Sequence, residues 1–180
     1  MWQQLVQMTH LLALGLWAGA MVFFSFFTAL PILSDWPSRL QQPGHWLQIS
    51  EARQATRAAG EVLDILFQRY FPFQVVCGLI AVITGAGSFM NADWLSKVRG
   101  VALVTALILA SLNWLYLAPA VHQARLERYS SDPQVAQAGE AKFGPAHSRS
   151  LQADLVVLTL VLFALGSSAW LPGTPRPPVS

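Results

Sequence analysis

From Leu11 to Leu33 the chain runs 23 residues without a charged side chain, and the run carries Trp17, Gly19 and the aromatic group Phe23, Phe24, Phe26 and Phe27. As an α-helix it reaches roughly 34 Å at about 1.5 Å per residue, enough for a hydrocarbon core about 30 Å thick. In lipid, backbone polar groups must be satisfied within a helix or a closed barrel, so this stretch fixes the class of fold around it. Ala18-Gly19-Ala20 resembles a leader cleavage site. However, nothing basic follows Met1 in Trp2-Gln3-Gln4, and the apolar run outlasts the usual stretch of about 7 to 15 residues, so the segment is expected to persist as a span.

Composition agrees: 54% of residues are hydrophobic and 11% charged, against about 25% charged in soluble domains. The spans are expected at about 8–33, 70–90, 98–119 and 151–171. Pro31 and Ser34-Asp35-Trp36-Pro37-Ser38 stop the first span, and Pro43-Gly44 marks a turn before His45 and Trp46. Trp36 and Trp46 suit an interfacial belt. Ala52, Ala55, Ala59, Val62, Leu63 and Leu66 recur at helical spacing with Glu51, Arg53, Arg57 and Glu61 between them. This predicts an amphipathic surface helix over about 50–69 that runs into span two, with a kink at Pro72. Asn91-Ala92-Asp93-Trp94 is too short for a domain, so spans two and three form a hairpin. Ser130-Ser131-Asp132-Pro133 ends the third helix, and the proline-rich tail 172–180 is expected to be extended. The fold class is an all-α integral membrane protein, a four-transmembrane-helix antiparallel bundle forming one membrane domain over 1–180. Gly78, Gly85 and Gly87 allow close helix approach, as does Gly15-x-x-x-Gly19, a candidate homodimer face. Cys77 reads as an inert packed thiol.

The eleven basic residues are dispersed around apolar segments, which argues for topology signals and against a nucleic-acid partner. Arg39, Arg53, Arg57, Arg69, Arg125, Arg128, Lys142 and Arg149 flank the first and third connections. Only Lys97, Arg99 and Arg176 lie on the other side. Eight against three places both termini on the non-cytoplasmic face. The expected partners are the lipid bilayer and either a larger membrane complex or a second copy of the chain.

Two places could carry chemistry. Antiparallel spans bring Asp64, Gln68 and Arg69, then Asn113, Tyr116 and His122, then His147, Ser150 and Asp154 to the cytoplasmic half. His147, Ser150 and Asp154 share one helix face at i, i+3, i+7. A carboxylate one turn inside a membrane helix is costly unless paired or hydrated, so Asp154 is expected to meet Arg69 or Asn113. The cluster of Asp64, Arg69, Asn113, His147, Ser150 and Asp154 then reads as a solute site or as polar glue between helices. At the opposite end His10, with Met8 and Met90 at a similar depth, is the candidate ligand for haem or Cu(I). No CxxC pair, HExxH, GxSxG or phosphate-binding glycine loop is present, which leaves hydrolase, ATPase and disulfide-redox readings without an anchor.

The block from His10 through Trp17 and Gly19 to Phe26, together with Gly60 to Phe71, Asn113 to Pro119 and Phe143-x-x-x-His147-x-x-Ser150, resembles the transmembrane protein 205-like family. That resemblance implies a four-span membrane protein without a settled reaction; a eukaryotic member is linked to platinum-drug tolerance and vesicles. This chain has Asp154 where the family tends to have Asn. A looser similarity, His-x(6)-Trp-x-Gly in the first helix, is to the copper resistance D domain and to haem-containing four-helix protoporphyrinogen oxidases. The expected function is a non-enzymatic integral membrane protein, an accessory subunit or a solute- or metal-handling protein, with a haem- or metal-binding redox protein using His10 as the alternative.

Overall fold

The computed structural model describes residues 1–42, 49–90 and 93–169. The turn at Pro43-Gly44 with His45 and Trp46, the Asn91-Ala92 pair and the tail 172–180 lie outside the described residues. The described residues form four long helical rods, Trp2–Leu40, Ala52–Gly87, Trp94–Arg128 and Pro133–Ser168, each apolar enough to cross a membrane. Within them α1 covers Trp2–Val22, α2 Leu30–Ser34, α3 Trp36–Leu40, α4 Ala52–Met90, α5 Trp94–Leu112, α6 Ala118–Arg128 and α7 Pro133–Ala169.

Two π-helical segments, Phe23–Ala29 and Asn113–Leu117, interrupt the first and third rods, and each sits just ahead of a proline, Pro31 or Pro119. A pyrrolidine ring clashes with the carbonyl four residues back in an α-helix. The wider turn relieves that clash: the Leu30 N–H donates to Ser25 O and the Ala118 N–H to Asn113 O, both five residues back. Pro72 instead lies inside α4, so residues 52–69 run as one helix with span two. Asp93 caps α5 by accepting from the Ser96 N–H at 3.3 Å. Hydrogen bonding to the Ser96 side chain and backbone holds the Asp93 carboxyl below the usual carboxylate range.

In the bundle α1 packs on α4 and α7, and α5 packs on the same two, so the spans close a ring in chain order. Alanines predominate where the helices meet: Ala13, Ala18, Ala81, Ala106, Ala110 and Ala164 are buried with Leu14, Trp17, Met21, Leu103, Val157 and Val161. Small side chains let membrane helices approach closely, since burying apolar area gains little when lipid is the solvent. Gly78 gives the clearest case, because a Cβ there would fall 2.7 Å from Cη2 of Trp17. Cys77 is buried, as its apolar neighbours lead one to expect. Gly15 and Gly19 behave differently. They face outward, and a Cβ on either would meet nothing within 4 Å. Large side chains such as Phe23, Phe26, Phe27, Ile83 and Val101 also point out, where a bilayer would solvate them.

Rods of 35 to 39 residues are roughly 52–58 Å long, well beyond a hydrocarbon core of about 30 Å. The surplus lies mainly at one end, where the start of α4, α6 and the first half of α7 carry the charges and α3 packs against α4. There Asp64 pairs with His122 and Arg125, Arg128 with Glu140, and Lys142 with Glu127. This end is a polar helical head, and α4 belongs to both head and membrane.

Candidate functional site

Five polar side chains inside the bundle converge at one depth. Trp17 of α1 donates from Nε1 to Gln74 Oε1 at 3.2 Å, and Gln74 of α4 donates from Nε2 to Asp154 Oδ1 at 3.3 Å. Asn113, the first residue of the second π segment, donates from Nδ2 to the same Asp154 Oδ1 at 3.2 Å and to Ser150 O at 3.3 Å. Ser150 Oγ returns a bond to Asn113 Oδ1 at 2.8 Å. One connected network therefore takes a side chain from each of the four spans. Trp17, Gln74 and Asn113 are fully enclosed.

Local structure explains the placement. Asp154 and Ser150 are four residues apart on α7 and so lie one turn apart on one face. At the π segment the Asn113 carbonyl accepts from Ala118 five residues on, and the Asn113 side chain meets α7. Aromatic rings close the network toward the head: Phe24 stacks on Tyr70 at 4.2 Å between centroids, and Phe67 on Phe71 at 5.3 Å. Leu14, Leu103, Val157 and Val161, all fully buried, close it toward the other end. The Tyr70 hydroxyl is buried beside the Asp154 carboxylate.

Of the six residues expected to cluster, the structure brings together Asn113, Ser150 and Asp154. Asp64 is elsewhere, in the head, with His122 Nδ1 at 2.9 Å and Arg125 Nη2 at 3.3 Å. Arg69 is exposed on α4 and does not pair with Asp154, whereas Tyr70 and Gln74 turn inward. His147 sits two turns before Asp154 on α7 and is engaged with Phe143, ring centroids 5.3 Å apart and nearly parallel. Gln74 and Trp17 are network members that the sequence reading missed. The signal was an amide inside the apolar run Phe71-Pro72-Phe73-Gln74-Val75-Val76, four residues from Tyr70.

His10 forms a second polar level about seven residues from Trp17. It is buried, and its Nδ1 faces Ala81 O at 2.9 Å and Thr84 Oγ1 at 3.2 Å. A carbonyl only accepts, so the proton is on Nδ1 and Nε2 is the bare nitrogen, enclosed and without a partner among the described residues. Arg99 of α5, also buried, donates from Nη1 to Ser168 Oγ at 3.3 Å nearby. The expected Cu(I) set does not assemble: Met8 is 67% exposed on the outside of α1 while His10 turns inward. The Met90 side chain lies outside the described residues. Among the described residues no three His, Cys, Asp or Glu side chains gather as a metal site. Haem fits no better, since protein atoms cover Nε2 and the helices would have to part to admit an iron.

In the head, the guanidinium groups of Arg53, Arg57 and Arg128 lie 5.6 to 5.9 Å from the Tyr129 ring centroid. A cavity of about 300 Å³ opens there between Arg53, Thr56, Arg128, Tyr129 and Glu140.

These features define a multi-pass membrane bundle whose four spans share a network of buried amides around a partly buried carboxylate. The chain belongs to the family described as Domain of unknown function (DUF4149), whose model matches residues 12–130. That stretch contains Trp17, Tyr70, Gln74 and Asn113 and ends before α7. No curated protein and no solved structure matches the chain.

Proposed function

We propose that this protein is a non-enzymatic membrane component that works as an accessory subunit of a larger complex, docking through its charged head. The observation that carries this reading is the surplus length of the rods: a head built from α3, α4, α6 and α7 serves no need of the bilayer. The cleft with Arg53, Arg57 and Arg128 around Tyr129 gives an acidic partner segment both charge and aromatic contacts.

We orient the head toward the cytoplasm and both termini away from it. Burial of Arg99 inside the bundle supports this, because it takes one basic residue out of the minority side of the count. We also place the chain near the transmembrane protein 205-like proteins, on the His10 to Phe26 block. Solute handling is the second reading, and the unpaired carboxylate Asp154 is the observation in its favour.

Extraction at native abundance into mild detergent, followed by native mass measurement, tests the subunit reading. A defined assembly larger than the chain is expected, and reversing the exposed charges with Arg53→Glu and Arg57→Glu should release the chain from it. A discrete monomer in the wild type would refute the reading.

A further inference from the structure

The first rod presents an apolar ridge at a depth where the neighbouring rods carry charge. Trp17 meets Gln74, and seven residues further on Phe24 meets Phe67, so the first rod and α4 run antiparallel in a steady register. Continued along the π segment, that register sets Phe23 at the depth of Gln68, Phe27 at that of Asp64 and Leu30 at that of Glu61. Asp64 pairs with Arg125 and hydrogen-bonds His122, while Gln68 and Glu61 are exposed. Phe24 turns inward onto Phe67 and Tyr70, which sends its neighbours outward: Phe23, Phe26, Phe27 and Leu30 are 60–69% exposed, and Leu33 continues the ridge. Phe23 and Phe27 stack on one another at 5.9 Å between centroids, a flat slab of two rings on the outer surface.

Lipid does not suit this ridge. Trp94 and Tyr116 stand out from the third rod 22 residues apart, roughly 33 Å, which fits a pair of interfacial belts and puts the inner one about a turn beyond Asn113. Phe27 and Leu30 lie further toward the head, and a planar hydrocarbon layer deep enough to hold them would also take in Glu61 and Asp64, at a cost. Water suits it no better. At about 150–250 Å² per aromatic side chain, the three rings alone leave roughly 300–450 Å² of apolar surface uncovered, a large contiguous patch for one chain. We propose that the ridge from Phe23 to Leu33 is the interface with a second copy of this chain. Whatever covers the ridge must carry apolar side chains beyond the hydrocarbon edge at a matching depth. A second copy does so, because the bilayer fixes the depth and direction of both chains and a two-fold axis along its normal sets ridge against ridge. The area agrees: doubled, and extended by Leu12 and Leu16, exposed on the same rod within the bilayer, the ridge reaches the range of about 1,200–2,000 Å² that a stable interface buries.

Purified full-length chain in lipid vesicles, over a range of protein-to-lipid ratios, tests this by energy transfer between labelled copies and by disulfide trapping. A dimer is expected. Phe26→Cys should cross-link to itself under mild oxidation, whereas Val101→Cys, exposed on α5 across the bundle from α1, should not; Cys77 is buried and stays silent. Replacing Phe23, Phe26 and Phe27 together by Ala should weaken the dimer about 30-fold or more with the helical signal unchanged. Should that triple variant fail to fold, Phe26→Cys keeps the test decisive, because it changes one outward ring. A monomer at every ratio would overturn the proposal, as would a dimer that survives the triple substitution and is lost only in Gly19→Leu. A purified monomer whose Phe26→Cys variant cross-links in native membranes to a different protein would overturn it equally. The subunit reading rests on the charged cleft and has its own mark, a native mass beyond that of two copies that is lost on Arg53→Glu with Arg57→Glu. Those changes leave the ridge intact, so either reading can fail alone.

Discussion

The membrane core and the head are built by the same four rods but solve the polar problem in opposite ways. In the core, five side chains from four helices share hydrogen bonds around a single carboxyl group. In the head, charges of opposite sign pair off with solvent close by, Asp64 with Arg125, Arg57 with Glu61, Arg128 with Glu140 and Lys142 with Glu127, and His122 hydrogen-bonds Asp64 as well. The dielectric explains the choice. Near water an ion pair costs little to form and gains little, whereas in an apolar interior each charge must be compensated or avoided. Core members should therefore be sensitive to loss of one partner and insensitive to salt, and head members the reverse.

The largest effect is expected at Asn113. Asn113→Leu takes a donor from Asp154, a donor from Ser150 O and the acceptor of Ser150 Oγ at one stroke. A single hydrogen bond between membrane helices averages only about 0.6 kcal/mol. Stranding buried partners costs more, so the expected loss is about 2–3 kcal/mol, read as unfolding in mixed micelles and unchanged by added salt. Gly78→Ala comes next. Its new methyl meets a Trp17 ring that its bond to Gln74 holds in place, and overpacking of this kind costs about 1–3 kcal/mol. A drop in melting temperature without loss of helical signal checks it; an unchanged melting temperature would mean that Trp17 is free to move.

Head variants should do less. Asp64→Asn ends the ion pair with Arg125 and alters the hydrogen bond with His122 at partly exposed sites, and such a pair contributes about 0.2–1 kcal/mol. The deficit relative to wild type should shrink as salt rises from low ionic strength. Smallest is Glu127, whose carboxyl is held below its ordinary range by hydrogen bonds from Lys142 and then Gln123. A folded-state value below the unfolded one stabilises above the unfolded value and is lost as pH falls through the folded one. The Lys142–Glu127 link should thus act at neutral pH and vanish below the usual glutamate range. A Lys142→Ala difference in head proteolysis that shrinks in acid checks it.

Much of the fold was legible because its causes are local. Uninterrupted apolar runs gave the four spans, and Ser130 to Pro133 gave the end of the third rod, whereas the start of α7 at Pro133, ahead of the apolar run from 151, was not read. The π segments were not legible, since they depend on how the helix ahead of Pro31 and Pro119 relieves a clash that it could also have relieved by bending. Within the site, depth predicted Asn113, Ser150 and Asp154 together, because residues of antiparallel spans at one level have few other neighbours. Depth alone also drew in Asp64, Arg69 and His147, which lie toward the head. Rotation about the helix axis decides between these cases: Arg69 and Tyr70 are consecutive yet face apart, and Asp64 turns to α6. Gln74 escaped notice because an amide carries no charge to draw attention to it.

The central claim is that Asp154 couples the helices through one network, and a double-mutant cycle measures this most directly. Gln74 and Asn113 are bridged through Asp154 Oδ1. With Gln74→Leu, Asn113→Leu and the pair measured by unfolding in mixed micelles, the double variant should lose less than the sum of the singles, by about 0.5–3 kcal/mol. The same cycle in an Asp154→Leu background should lose that coupling. Additivity within about 0.5 kcal/mol with Asp154 in place would contradict the account.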